Sequence, residues 1–143
     1  MTKLNVSILF LFFILACNKE SFQSKPQLNI KSVSSSVIIP GNDLQIRMRL
    51  TDKEGDFVDT IWVKKVTTRC ANSNFIDSFL YRIPPETPRK MNFDGEVLIT
   101  LIYPIELQPR CNRADTAVFS FWMKDAKGNK SDTAKTQSII IQR

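Results

Sequence analysis

An all-β, antiparallel sandwich is the fold class this chain predicts, and three observations predict it. Apolar and polar residues alternate with the period of two of a half-buried strand. The clearest case has Leu44, Ile46, Met48 and Leu50 on one face and Gln45, Arg47, Arg49 and Thr51 on the other. Turn residues interrupt the apolar runs at short intervals, as at Pro40-Gly41-Asn42-Asp43 and Asp52-Lys53-Glu54-Gly55-Asp56. No stretch after Leu28 reads convincingly as a helix.

Seven strands follow in order. Leu28 to Val33 alternates through Leu28, Ile30 and Val33. Leu44 to Thr51 is the clean alternating run, and the acidic Asp52–Asp56 turn closes it. Phe57 to Thr67 is long and carries Ile61, Trp62, Val63 and Val66. Phe75 to Ile83 ends at Pro84-Pro85, where the missing N–H stops a ladder. Asp94-Gly95 leads into Glu96 to Tyr103, with Val97, Leu98, Ile99, Leu101 and Ile102. Ala114 to Lys124 sets Ala117, Phe119, Phe121 and Met123 against Thr116, Val118, Ser120 and Trp122. The turn Asp125-Ala126-Lys127-Gly128-Asn129 leads to the last strand, ending in Ile139-Ile140-Ile141.

The amino terminus speaks to location. Met-Thr-Lys precedes the apolar run Ile8 to Leu15, and Ala16 then stands before Cys17. A basic start, a short apolar core and a small residue form a secretory signal. The run falls short of the roughly 20 residues of a membrane-spanning helix. Ile14-Leu15-Ala16-Cys17 resembles the lipobox of bacterial lipoproteins. That resemblance implies cleavage of residues 1–16 and acylation of Cys17. It also implies durable attachment, since each buried methylene contributes about 0.8 kcal/mol and more than one acyl chain is expected. Asn18 in place of an aspartate favours the outer membrane, and Cys17-Asn18-Lys19-Glu20 looks like the charged segment of Bacteroidota-type lipoproteins. Residues 17–27 then read as the acylated cysteine and a polar tether, and 28–143 as one domain large enough for a core.

The formal charge is +6, with the cations spread along the chain. The short basic groups are Lys64-Lys65, Arg89-Lys90 and Lys124 to Lys130. Dispersed lysines read as a solvated surface, with no nucleic-acid partner expected; the partners expected are the membrane and an envelope protein or polysaccharide. Cys70 and Cys111 are an even pair in a secreted chain and read as a disulfide.

The stretch from Leu28 to Arg143 resembles immunoglobulin-like or fibronectin-like modules of bacterial surface lipoproteins. The segments carrying the resemblance are Leu50 to Asp56 and Met123 to Ser131. It implies a seven-stranded sandwich in which the third and sixth strands pair antiparallel. That arrangement brings Cys70, after the third, beside Cys111, before the sixth.

The chain has no histidine, which excludes the usual serine–histidine and cysteine–histidine catalysis and histidine metal sites. No enzyme is expected. A small hydrolase built on paired carboxylates is the remote alternative, resting on Asp52, Glu54, Asp56 and Asp59. No cofactor is required, although Asp52, Glu54 and Asp56, with Asp125 or Asn129, offer oxygen ligands suited to Ca²⁺. Trp62, Trp122, Tyr81 and Tyr103 are the aromatic residues that would stack on a sugar, with Trp62 and Trp122 foremost. Asp59-Thr60-Ile61, Asp115-Thr116-Ala117 and Asp132-Thr133-Ala134 resemble the O-glycosylation motif of Bacteroidota-type extracytoplasmic proteins. That resemblance implies modified, solvent-facing Thr60, Thr116 and Thr133. The functional expectation is a lipid-anchored binding or structural module of the cell envelope, the alternative a surface carbohydrate-binding or adhesion module.

Overall fold

The computed structural model describes residues 24–70 and 78–143. The expected signal segment, Cys17 and the first part of the tether lie outside the described residues, as does the start of the fourth expected strand. The described chain is mostly β. Its strands are β1 (Gln27–Val33), β2 (Val37–Ile38), β3 (Leu44–Asp52), β4 (Phe57–Thr67), β5 (Ser78–Arg82), β6 (Phe93–Leu101), β7 (Asp115–Asp125), β8 (Ala134–Lys135) and β9 (Ile139–Ile141). They form two sheets. One has the order β1-β3-β6; the other runs β2-β9-β7-β4-β5, with β8 also on β7.

The alternation read in the sequence maps onto burial. Along β3, Leu44, Ile46, Met48 and Leu50 are fully buried, while Gln45 and Arg47 are exposed and Arg49 is half-buried. Opposite them stand Ile61 and Val63 of β4 and Phe119, Phe121 and Met123 of β7, in the same apolar cluster. A strand with one buried face fixes its own register, because a slip of one residue would turn every apolar side chain to water. Tyr81 joins the sheets at one edge, its hydroxyl donating to the Leu98 carbonyl at 2.9 Å.

Three features depart from the expected pattern. The first is β2, which pairs parallel with β9 through Val37–Ile140 and Ile38–Ile141, so the fold is not wholly antiparallel. Ser34 to Ser36 carry the chain from one sheet to the other, and Ser35 Oγ accepts the Val37 N–H and donates to the Val37 carbonyl. Two strand residues, of which only Ile38 is buried, are too few to show an alternation. β8 is equally short, so seven expected strands become nine. The second is the end of the fifth expected strand. β6 stops at Leu101, and Tyr103–Leu107 forms a single π-helical turn with a proline in its opening positions.

The third concerns Lys65, grouped in the sequence with the surface cations. It is only 4% exposed. It follows Ile61 and Val63 on the inward face of β4, and its Nζ donates to the carbonyls of Glu106 and Leu107 at 3.2 and 3.0 Å. Those carbonyls end the π turn, where chain groups lack helical partners, so the lysine satisfies them and is satisfied in return. Lys64 faces solvent as expected.

β4 and β7 pair antiparallel from Phe57 opposite Asp125 to Thr67 opposite Ala117, with the register shifted by a bulge between Phe57 and Ile61. Just beyond that second end Cys70 and Cys111 form a disulfide, with Cα atoms 5.6 Å apart. Asp115 is buried beside it, and its Oδ1 accepts the N–H groups of Arg69 and Thr116 at 3.1 and 2.7 Å. The bridge closes a separation of 41 residues and so restricts the unfolded chain; replacing both cysteines by serine is expected to cost about 4 kcal/mol in urea unfolding.

Candidate functional site

Two regions gather the polar, aromatic and acidic residues singled out in the sequence. One is the outward face of the six-stranded sheet. Trp62 of β4 stands opposite both Leu80 of β5 and Trp122 of β7, so the three residues form one row across three strands. Both tryptophans are half-buried and Leu80 is 57% exposed. Lys124 Nζ lies 5.7 Å from the Trp62 ring centroid and Lys130 Nζ 4.7 Å from that of Trp122. Cations at that range over an indole are attracted by its π face. Tyr81 and Tyr103 do not join this row. Tyr81 packs against the core, while Tyr103 is buried and donates its hydroxyl to the Gln142 carbonyl at 2.7 Å.

The outward face of the three-stranded sheet is different. Arg49 grips Asp94 with both carboxylate oxygens engaged, at 2.9 and 2.8 Å, and Arg47 meets Glu96 at 3.0 Å. The Arg49 side chain holds the Asp94 carboxyl below its ordinary value. One face is thus occupied by paired charge, the other by an apolar row beneath lysines.

The three Asp-Thr motifs land in different surroundings. Thr133 is exposed and Thr116 half-buried. Thr60 is 7% exposed, donates to Asp59 Oδ1 at 3.0 Å and accepts from Arg82 at 3.1 Å. Its hydroxyl does not face solvent as the motif implied, because β5 pairs alongside and brings Arg82 over it.

The second region is the turn from β3 to β4. Asp52 ends β3 and is 1% exposed. Its Oδ1 accepts the N–H groups of Glu54 and Gly55, both at 3.1 Å, which folds the turn back on itself. Gly55 has φ of +70°, and a Cβ there would lie 2.0 Å from the Lys90 carbonyl oxygen, so no other residue fits. The Asn92 N–H donates to the Lys53 carbonyl and the Ala126 N–H to the Asp56 carbonyl, both at 2.8 Å. The turn is therefore pinned between the start of β6 and the turn that follows β7. Beneath it Phe57 and Phe93 pack with ring centroids 4.7 Å apart, and the Arg89 guanidinium sits 3.9 Å over Phe57.

Pinning the turn converges its acids. One carboxylate oxygen from each of Asp52, Glu54 and Asp56 lies within 4.8 Å of the others. Asp52 Oδ2, Glu54 Oε2 and Asp56 Oδ1 are all buried and accept no hydrogen bond. At an effective dielectric near 20, two like charges at that separation repel by roughly 3 kcal/mol. Burial pushes the Asp52 carboxyl above its ordinary value against the two N–H bonds, and the Asp56 and Glu54 charges add to the rise. Lys127 Nζ stands 3.9 Å from Asp56 Oδ2, a loose pair in which the lysine is well exposed.

Asp125 and Asn129, expected as further ligands, are committed to each other. Asp125 accepts the Asn129 backbone N–H on Oδ1 and the Asn129 side-chain amide on Oδ2, each at 2.7 Å. Burial works to raise the Asp125 carboxyl, but the Asn129 bonds, with help from Lys127, outweigh it and hold it below the ordinary value. The sequence gives no sign that Lys127 would reach Asp56, since about seventy residues and four strands separate them.

No protein-family model matches the chain, and no curated protein matches it in sequence.

A carboxyl held low in the folded state stabilises the fold above its unfolded pKa and loses that contribution as pH falls through the folded value. Asp125 and Asp94 act in this direction, so metal-free protein in chelator is expected to lose their contribution below about pH 4. Asp125→Ala removes the acceptor from two donors at the turn and is expected to cost about 1–3 kcal/mol at pH 7, with a smaller difference from wild type at pH 3. Denaturant midpoints at the two pH values measure both effects.

Proposed function

We propose that this chain is a lipid-anchored binding or structural module of the bacterial cell envelope. It is held at the outer membrane through acylated Cys17 and acts without catalysis. The lipobox-like ending Ile14-Leu15-Ala16-Cys17 supports the anchor. The strand order supports an immunoglobulin-like reading of the domain. In that reading β1, β3 and β6 form one sheet of a sandwich, β9, β7, β4 and β5 form the other, and the first strand is shared between them through β2.

The observation that carries the binding role is the row Leu80–Trp62–Trp122 on the outward face of the six-stranded sheet. Large aromatic side chains in register across a sheet bring much contact area at little entropic cost, and indoles turned partly to water serve partners that are apolar on one side and polar on the other. A protein of the envelope fits this face.

The lysines favour a second reading, an acidic polysaccharide. Indoles stack on sugar rings, while Lys124 and Lys130 above them, with Lys64 on the same face, meet uronate or phosphate groups.

The chain has two tryptophans, and both lie on this face, so tryptophan emission, excited selectively over tyrosine, reports on it alone. Titration with alginate as the acidic probe is expected to change the emission saturably, and the change should fade with added salt. A flat response sinks the polysaccharide reading. Cys17→Ala is expected to abolish palmitate labelling and to move the protein out of the membrane fraction; labelling that persists in this variant sinks the anchor.

A further inference from the structure

We propose that Asp52, Glu54 and Asp56 form a Ca²⁺ site at the turn between β3 and β4. Asp52 is 99% withdrawn from solvent by its 1% exposure, and its Oδ2, turned away from the N–H groups that Oδ1 engages, accepts no hydrogen bond. Glu54 Oε2 and Asp56 Oδ1 are buried and equally unpartnered. Such oxygens are deprived of water without compensation, and a cation is the partner that all three share.

The distances suit Ca²⁺. Oxygens bound to one ion at about 2.4 Å lie at most about 4.8 Å apart. A carboxylate oxygen of each residue meets that limit, being within 4.8 Å of the other two. Charge also suits a divalent ion. Three carboxylates carry three negative charges, and Lys127 at 3.9 Å from Asp56 balances one, leaving two. Ca²⁺ tolerates an irregular oxygen set supplied by a loop, whereas Mg²⁺ demands a near-regular octahedron and gives up its water reluctantly.

The ion would also tighten the fold. The turn is tied to Asn92 before β6 and to Ala126 after β7, so a cation at its centre joins the ends of four strands, two from each sheet. This site is independent of the tryptophan face, and either can fail without the other.

The test is thermal unfolding of the full-length protein in detergent, first in EDTA and then with CaCl₂ or MgCl₂ as the only divalent ion. Ca²⁺ is expected to raise the midpoint with an apparent dissociation constant of about 0.1–1 mM, the range of extracellular modules. Mg²⁺ at the same concentration is expected to do little. Glu54→Gln should weaken the response roughly tenfold or more, since affinity follows ligand charge. Asp52→Asn keeps the Oδ1 acceptor for the Glu54 and Gly55 N–H groups while removing charge. It should melt no lower than wild type in EDTA and show no Ca²⁺ response. If Asp52→Asn does not fold, Glu54→Gln and Asp56→Asn decide the matter. The proposal is overturned by no Ca²⁺ effect up to about 10 mM, well above the expected constant. An equal effect of Mg²⁺, or a Ca²⁺ response that survives these substitutions, overturns it as well.

Discussion

The antiparallel ladder between β4 and β7 is the constraint from which the rest of the molecule follows. Its inward residues, Ile61 and Val63 with Phe119, Phe121 and Met123, build the half of the core contributed by the six-stranded sheet. Its outward residues place Trp62 opposite Trp122. At one end it delivers Cys70 to Cys111; at the other it sets Phe57 against Asp125 and so holds the acidic turn beside the turn that follows β7. Because side chains alternate along a strand, the register that runs from Ile61 opposite Met123 to Thr67 opposite Ala117 assigns the core, the tryptophan pair and the disulfide end at once, and a bulge between Phe57 and Ile61 resets it for the acidic end.

The two ends of that ladder are stabilised by different physics. At the disulfide end, a covalent bridge restricts the unfolded chain, and the buried carboxylate of Asp115 is satisfied by the N–H groups of Arg69 and Thr116. At the acidic end, hydrogen bonds fix the backbone, but three carboxylate oxygens are left buried without a donor. The backbone bonds that shape the turn are the reason the acids converge. Gly55 lets the chain turn under the Lys90 carbonyl, and Asp52 uses one oxygen to hold the turn, which leaves the other buried without a donor. A turn held by neutral N–H donors thus concentrates charge that it does not itself neutralise.

Much of the fold was legible in the chain. The alternation of Leu44, Ile46, Met48 and Leu50 foretold their burial, and the position of Trp122 between Phe121 and Met123 foretold its turn to the opposite face. The same alternation also places Lys65 inward. Lys65 continues the inward series Ile61 and Val63, yet a lysine beside another lysine reads as surface. Its burial depends on the Glu106 and Leu107 carbonyls, which arrive from about forty residues away. Thr60 misled for a related reason: its motif is local, but its environment is set by Arg82 on the neighbouring strand.

The sequence by itself determined the β character, the inward and outward faces of the long strands, the pairing partner of each cysteine in the domain and the crowding of acids between Leu50 and Phe57. These are properties of period two, of turn chemistry and of an even number of thiols, all written over a few adjacent residues or a simple count. Tertiary structure alone decided that β2 runs parallel to β9, that Trp62 and Trp122 share a row and that one oxygen each of Asp52, Glu54 and Asp56 is sealed from water. Each of those depends on which strand lies beside which. That choice is made by the closing of two sheets over one core, and it brings together residues far apart in the chain, as Asn92 and Ala126 are from the turn they hold.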